Sequence, residues 1–286
     1  MAYFYNQASL SFGGSTTNSN ITRTEIVSGL QITKTAVTDE YCPGGGGITY
    51  VVTLTNTGSI TKVTDIVDDL GAYTVGENTF VPLKYAEGSV LYYQNGVLQP
   101  TPVIETGEEL IIKDITVPAG GTVTVIYGTQ TTEYAPLSLG SVITNTATST
   151  GCADGTEMAS ATVPVRETQQ LTIAKAVCPT DTVEDCNVTY TFILQNLGNA
   201  PVVATDNVVV KDVFDPKLYD ITVTLNDEVL IEGTGYTYDE TTGEFTTTEG
   251  TITIPAATFV QDPETGEITT TPGVTIITVK GTFKEQ

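Results

Sequence analysis

The chain has 286 residues, of which 40% are hydrophobic and only 16% are charged, and it contains 27 glycines but neither tryptophan nor histidine. Its formal net charge of -23 argues against binding to nucleic acid or to anionic membranes, because both would repel it. Short alternating runs rich in threonine and valine predict an all-β protein built from two tandem immunoglobulin-like β-sandwich domains. The chain has no membrane-length apolar run and no basic and then apolar leader, so we expect a product that is made without a signal peptide and does not span a membrane.

The first segment, residues 1–29, has the pattern of the end of a domain rather than its start. Residues 4–12 alternate as a half-buried β-strand does, and the side chains sharing one face are Phe4, Asn6, Ala8, Leu10 and Phe12. A turn region rich in glycine, serine and asparagine follows, and a second strand over 21–27 completes a β-hairpin. A similar hairpin recurs over 143–165.

The rest of the chain repeats one pattern twice. The opening strand LQITKTAV recurs as LTIAKAV, and each copy is followed by a strand that ends in an Asn-x-Gly turn. Aligning VTDIVDDL with VKDVFDPKL places Asp65 opposite Asp212. The repeat therefore predicts a β-sandwich over 30–165, a linker over 166–170 and a second sandwich over 171–286.

The second repeat ends where the first still has residues 133–165 to come, and these include its last hairpin. A sandwich without those strands would expose a groove and unpaired strand edges. The N-terminal hairpin suits such a groove, but only two residues separate it from the first strand of domain 1. We therefore predict that it completes domain 2 of another copy, and that this head-to-tail contact propagates into a filament; a closed ring or swapped dimer is the geometric alternative.

Several motif positions connect the chain to known proteins. They follow the pattern K-T, Y-x-x-x-x-x-N-x-G, V-x-D and N-T-A, and the matching residues are Lys34, Tyr50, Asn56, Asp65 and Asn145, then Lys175, Tyr190, Asn196 and Asp212. Through them the chain resembles the bacterial surface conserved-repeat family, domain of unknown function eleven, which implies an immunoglobulin-like sandwich. Its two-repeat layout and opening residues more closely resemble the proteins of ribbon-like appendages on clostridial spores. That resemblance implies an extracellular location on the spore surface, after release from the mother cell by lysis.

Three polar residues of domain 1 are predicted to point into its core. By strand alternation Lys34, Asp65 and Asn145 share a face with apolar neighbours, and burying an isolated charge costs several kcal/mol. Their order resembles the collagen-adhesin A-type domains, which form intramolecular isopeptide bonds. In such a core a neutral lysine amine attacks the asparagine carboxamide, while a protonated aspartate polarises the carboxamide and helps ammonia to leave. The alternative is a buried Lys-Asp pair, with the asparagine hydrogen-bonded to both and no covalent bond.

Domain 2 supplies only part of this set. It contains Lys175 and Asp212 but no corresponding asparagine, whereas the N-terminal hairpin carries Asn6 where domain 1 has Asn145. The pattern predicts an intermolecular isopeptide bond between Lys175 of one subunit and Asn6 of the next.

The four cysteines allow more than one arrangement. Cys178 and Cys186 flank one loop, so a local disulfide is geometrically easy, whereas Cys42 and Cys152 have no obvious partner within their repeat. Inter-subunit disulfides and free thiols both stay open for the latter two. The absence of histidine and of CxxC spacing argues against zinc, and the acidic loop 65–69 is either a solvated surface or a weak calcium site. We expect no cofactor.

These patterns predict a structural protein rather than an enzyme, because there is no histidine and no serine or cysteine set beside a plausible base. Its expected partner is itself, as a head-to-tail homopolymer, and the resemblance adds related appendage proteins. Two rival interpretations are an adhesin fragment whose loops bind a ligand, and a hydrolase with its site in the acidic loops.

Overall fold

A computed structural model describes residues 2–26, 29–150, 156–179 and 187–282. This part of the chain is β-structure apart from turns, loops and one 3₁₀ turn, η1 (Ala204–Asp206), which confirms the all-β prediction. None of its helices is long and apolar enough to cross a membrane. The chain divides into unit 1, residues 1–136 with 141–165, and unit 2, residues 137–140 with 166–286.

The N-terminal segment forms a two-part hairpin instead of the continuous strand predicted over 4–12. Its strands are β1 (Ala2–Asn6), β2 (Ser9–Phe12), β3 (Ser15–Asn18) and β4 (Thr22–Ile26). β1 pairs with β4 and β2 pairs with β3, and the interruption falls at Gln7 and Ala8. There the Gln7 side chain donates a hydrogen bond to the Ser19 carbonyl at 2.8 Å, so a side-chain contact replaces part of the ladder.

From β5 onward, the described residues of unit 1 form thirteen strands. They are β5 (Leu30–Ala36), β6 (Gly47–Asn56), β7 (Lys62–Asp68), β8 (Tyr73–Val75), β9 (Asn78–Phe80), β10 (Leu83–Tyr85), β11 (Leu91–Gln94), β12 (Val97–Leu98), β13 (Ile104–Thr106), β14 (Leu110–Val117), β15 (Thr122–Thr131), β16 (Val142–Thr150) and β17 (Glu157–Pro164). One sheet has the order β12-β11-β15-β6-β5, with β10 also on β15, and the other has the order β13-β14-β7-β16-β17. The apolar faces of the two sheets enclose a single core, as a sandwich requires.

The hairpin predicted at the end of domain 1 is confirmed as β16 and β17. Its register places Ile143 opposite Val163 and Ala147 opposite Ala159. β16 also pairs with β7, and β17 packs across β5, so this hairpin closes the sandwich over the first strand of the unit.

The described residues of unit 2 form ten strands. They are β18 (Leu171–Cys178), β19 (Asn187–Asn196), β20 (Lys211–Val213), β21 (Tyr219–Leu225), β22 (Glu228–Val229), β23 (Tyr236–Asp239), β24 (Glu244–Thr247), β25 (Thr258–Gln261), β26 (Ile268–Thr271) and β27 (Gly273–Thr282). One sheet has the order β18-β19-β27-β21-β22, and a smaller one has the order β20-β24-β23. Apolar residues of both sheets form a core that belongs to this unit alone.

The Asn-x-Gly motif has the same structural role in both units. Asn56, at the end of β6, is buried; its side-chain nitrogen donates to the Ile60 and Val117 carbonyls, and its oxygen accepts the Gly58 N–H. Asn196 ends β19 in the same way, donating to the Ala200 and Pro255 carbonyls and accepting the Gly198 N–H. The asparagine satisfies backbone groups that would otherwise be buried without partners, which explains its repetition.

Candidate functional site

Lys34 and Asp68 form a buried ion pair in the core of unit 1. Lys34 lies on β5 and Asp68 ends β7; Lys34 Nζ is 2.5 Å from Asp68 Oδ2, and both side chains are fully buried. The other carboxylate oxygen accepts the Leu70 N–H at 3.1 Å, which fixes the carboxylate plane. Burial lowers the pKa of Lys34, although the nearby carboxylates oppose this effect. The core therefore favours the neutral amine more than water does.

The prediction that Asp65 points into this core is wrong. On β7 the buried positions are Thr64, Ile66 and Asp68, so strand alternation places Asp65 on the opposite face. There its carboxylate contacts Lys113 Nζ at 3.4 Å and accepts the Asp114 N–H at 2.9 Å. The carboxyl group that accompanies Lys34 is that of Asp68, three residues later.

Asn145 points inward, as its strand phase predicts. It lies on β16 and is fully buried, and neither atom of its carboxamide has a hydrogen-bond partner of normal geometry among the described residues. The Tyr50 and Tyr127 phenols are its polar neighbours. Burial raises the pKa of both phenols, and the nearby Asn145 amide partly offsets this increase. A buried carboxamide without partners carries an energetic cost, and here it lies beside the groups that contact Lys34 and Asp68.

Aromatic rings surround the amine of Lys34. Its Nζ lies 4.8 Å from the ring centroid of Tyr50 and 5.9 Å from that of Tyr127. The Tyr127 hydroxyl also donates a short hydrogen bond to Asp68 Oδ2, the oxygen that contacts Lys34. Neither Tyr127 nor Asp68 was predicted from the sequence. The signal for Tyr127 was its phase on β15, where it shares the buried face with Val123 and Val125.

Unit 2 contains the second predicted pair. Lys175 of β18 and Asp212 of β20 are in direct contact, and the amine lies within 5.5 Å of the ring centroids of Tyr190, Phe192 and Phe214. This pair is more open than the first, with Lys175 39% exposed and Asp212 19% exposed.

The structural counterpart of Asp212 is Asp68 rather than Asp65. Asp212 pairs across its sheet with the buried Phe245, just as Asp68 pairs with the buried Leu110. The sequence alignment was therefore displaced by three residues at this strand.

The first strand of unit 2 is uncovered. In unit 1, Leu30 and Ile32 on β5 are 1% and 9% exposed, whereas Leu171 and Ile173 on β18 are 43% and 59% exposed. Within the described ranges, β7 pairs on both sides, with β14 and β16, but β20 pairs only with β24. Among the described residues, unit 2 thus leaves apolar side chains of β18 exposed and one edge of β20 unpaired, where unit 1 has β17 and β16.

Asn6 lies exposed on β1, where its backbone is opposite Thr22. It belongs to unit 1, whereas its predicted partners Lys175 and Asp212 belong to unit 2. The same strand presents Phe4 at 60% exposure, and Leu10 and Phe12 on β2 are more exposed still. These three apolar side chains of the hairpin are therefore not buried in a core.

The structure tests the cysteine and metal predictions only in part. Cys42 and Cys178 form no disulfide within the described residues, whereas Cys152 and Cys186 lie outside them, so the Cys178–Cys186 disulfide stays a prediction. In the part of the chain that is described, no cluster of three or more cysteine, aspartate or glutamate side chains could hold a metal ion. The acidic loop is engaged otherwise: Asp69 Oδ1, for example, accepts the Gly71 and Thr146 N–H groups.

No protein-family model and no curated protein matches the chain. Its solved structural neighbours include the major pilin subunit BcpA of Bacillus cereus, with 14% identity and a TM-score of 0.37 over 86% of this chain and 66% of that one. A C-terminal fragment of the major pilin GBS80 of Streptococcus agalactiae has 12% identity and a TM-score of 0.34, over 85% and 91%. The full-length major pilin RrgB of Streptococcus pneumoniae has 11% identity and a TM-score of 0.32, over 88% and 42%. The chain therefore spans about two fifths of the length of RrgB, and similarity this distant assigns it no function.

Proposed function

We propose that this protein is the structural subunit of an extracellular filament, in which the N-terminal hairpin of one copy completes unit 2 of the next by donor-strand complementation. The observation that carries the proposal is the uncovered strand β18, whose counterpart β5 is buried in unit 1. Full burial of a large apolar side chain contributes on the order of 1.5 to 3 kcal/mol, so covering β18 would stabilise a complex substantially.

The hairpin has the composition that this groove requires. Phe4, Asn6 and Ala8 alternate as Ile143, Asn145 and Ala147 do on β16. The backbone pairing of β1 with β4 is antiparallel, as is that of β16 with β17. One strand of the hairpin can then pair with the free edge of β20, while the other packs across β18.

The hairpin has no vacant place in its own unit, since β16 and β17 already close the sandwich of unit 1. Three residues connect the end of β4 to the start of β5, a distance of at most about 14 Å at about 3.6 Å per residue. This tether holds the hairpin beside unit 1 and supports donation to a separate copy. Because the donor and the groove are different surfaces, the contact is heterologous and repeats along a filament.

Covalent cross-links would follow from the two Lys-Asp pairs. In unit 1 the amine of Lys34 would attack the carboxamide carbon of Asn145, with Asp68 as the acid, to form an amide and release ammonia. At the joint Lys175 would react with Asn6 of the neighbouring copy in the same way, with Asp212 as the acid. The buried, unpartnered carboxamide of Asn145 supports the first reaction.

The resemblance to clostridial spore-appendage proteins supports a location on the spore surface, with related appendage proteins as further partners. An appendage outside the cell must persist without repair. A joint between subunits that is both apolar and covalent would meet this requirement.

The test compares the full chain with a variant that lacks residues 1–27. Electron microscopy and size exclusion should show filaments for the full chain and monomers for the truncated one. Adding a peptide of residues 1–27 to the truncated protein should raise its melting temperature, because a ligand at 100 times its Kd stabilises by about 2.7 kcal/mol. A peptide of scrambled order is the control. The proposal would be refuted if the truncated variant formed filaments, or if the native and scrambled peptides stabilised it equally. If the full chain formed closed rings instead of filaments, only the open head-to-tail geometry would be refuted.

A further inference from the structure

We propose that the Tyr127 hydroxyl is a proton relay between Asp68 and Asn145 during formation of the Lys34–Asn145 bond. This inference rests on the cross-linking chemistry of the proposed function. It assigns a role to a residue that the motif pattern does not contain.

The geometry connects the three groups through one hydroxyl. Asp68 Oδ2 accepts hydrogen bonds from both the Lys34 ammonium and the Tyr127 hydroxyl, so the amine and the phenol share one carboxylate oxygen. On β16, Asn145 shares the buried face with Ala147, which is the cross-strand partner of Asp68, so the carboxamide lies beside the Asp68–Tyr127 pair. The phenol is fully buried, and burial raises its pKa well above the ordinary value, so at neutral pH it holds a proton to donate.

The reaction balances with these groups alone. Lys34 first gives a proton to Asp68, and its neutral amine then attacks the carboxamide carbon of Asn145. As the original C–N bond breaks, Tyr127 gives its proton to the departing nitrogen and takes the proton of Asp68, so ammonia leaves. The new amide nitrogen then returns a proton to Asp68. The carboxyl group ends neutral, as suits a buried acid without a counter-ion.

Unit 2 differs at this position. Tyr127 lies opposite Tyr50 between β15 and β6, and the corresponding residue opposite Tyr190 on β27 is Val279. The Lys175–Asp212 pair therefore has no phenol from this strand position. We expect the joint to form its bond more slowly than unit 1 after docking, so that subunits can exchange before they are cross-linked.

The experiment follows the mass of the full chain after cell-free synthesis, with samples stopped in acid at set times. In wild-type protein the mass should fall by one ammonia, and in Tyr127→Phe this loss should be at least roughly tenfold slower, since general acid-base catalysis contributes about 10²- to 10⁴-fold. The matched control is Tyr92→Phe, which also removes a core hydroxyl; that hydroxyl donates to the Thr116 carbonyl, away from the lysine. Its rate should equal that of wild type.

A second measurement separates a relay from a packing effect, and its first part uses wild-type protein alone. If two protons move together through Tyr127, the rate of ammonia loss in wild-type protein should fall in deuterated water and should depend on the deuterium fraction along a curve. In Tyr127→Phe the same plot should become linear. A linear dependence in wild type, or equal rates for Tyr127→Phe and wild type, would overturn the relay. A wild-type chain that never loses ammonia would instead refute the cross-link of the proposed function.

Discussion

Lys34 on β5 and Lys175 on β18 occupy the same position in the repeat, yet the side chain of Lys34 is fully buried whereas that of Lys175 is 39% exposed. The difference arises because β17 packs over β5, whereas among the described residues β18 has extensive contacts only with its sheet neighbour β19. Each lysine nevertheless contacts an aspartate of the facing sheet. Unit 2 therefore contains the charged half of the arrangement in unit 1, and its described residues include no strand in the place of β16, which carries the carboxamide in unit 1.

Asp68→Ala should abolish the loss of ammonia in unit 1, because the core would lose the acid in contact with Lys34. It should also destabilise the unit by about 3 to 5 kcal/mol, since a buried amine is left without its partner. Intact-mass measurement and thermal unfolding check both expectations.

Asp65→Ala is the matched control for this change. Asp65 contacts the partly exposed Lys113 and accepts the Asp114 N–H outside the core, and surface ion pairs contribute about 0 to 1 kcal/mol, so mass and stability should stay close to wild type. If Asp65→Ala blocks the reaction and Asp68→Ala does not, the acid has been assigned to the wrong residue.

The two faces of β1 should contribute differently to assembly. Phe4 shares the face of Asn6 and should enter the groove of the neighbouring unit 2, so Phe4→Ser should raise the concentration needed for filaments by at least tenfold, about 1.4 kcal/mol. Tyr5 is equally exposed, 59% against 60%, but lies on the other face, so Tyr5→Ser should have little effect. Light scattering over a dilution series measures both. Equal effects would mean that general hydrophobicity, rather than the predicted register, governs the contact.

Asn6→Ala should still dock, because Phe4, Leu10 and Phe12 remain available to fill the groove. Its filaments should fall to monomers in hot detergent with reductant, whereas wild-type filaments should give a ladder of multimers. A tryptic digest of wild type should contain a branched peptide joining the Asn6 and Lys175 segments. Asn20→Ala removes another carboxamide of the same hairpin and should keep the ladder. Wild-type filaments that dissolve fully would show that only noncovalent contacts hold the joint.

The unreacted unit 1 should become more stable as the pH rises toward 10. In Asn145→Ala the amine of Lys34 stays free, with a pKa lowered from 10.5 by burial and with Asp68, Asp69 and the Tyr50 and Tyr127 phenols as its titratable neighbours. Between the lowered pKa and 10.5 the unfolded chain binds a proton that the folded chain does not, so the free energy of unfolding rises with pH. The slope is at most about 1.4 kcal/mol per pH unit.

The control for this pH dependence is Lys34→Met in the same Asn145→Ala background, which should lose the slope. The raised pKa values of the phenols act in the opposite direction, but only above their ordinary value of 10.0, so measurements below pH 10 isolate the lysine. Urea unfolding at several pH values provides the data. A slope that persists without Lys34 would assign the effect to another group.

The sequence by itself determined the β-sandwich class, the repeat and the hairpin that closes unit 1. These features depend on local signals, namely alternation along a strand, turn residues and the Asn-x-Gly motif, whose Asn56 and Asn196 satisfy neighbouring backbone groups. The inward phase of Lys34 and Asn145 was also readable, because long strands with clear alternation fix which side chains are buried.

Only the tertiary structure decided which carboxyl group forms the ion pair with Lys34. β7 carries aspartates at 65 and 68, and with a period of two residues these face opposite ways; which one is inside depends on packing against β14, whose register shifts between Ile112 and Ile115. The role of Tyr127 was hidden for the same reason, since a phenol on β15 reaches Asp68 on β7 only after the two sheets pack together. Contacts between sheets join residues distant in sequence, and strand alternation carries no information about their partners.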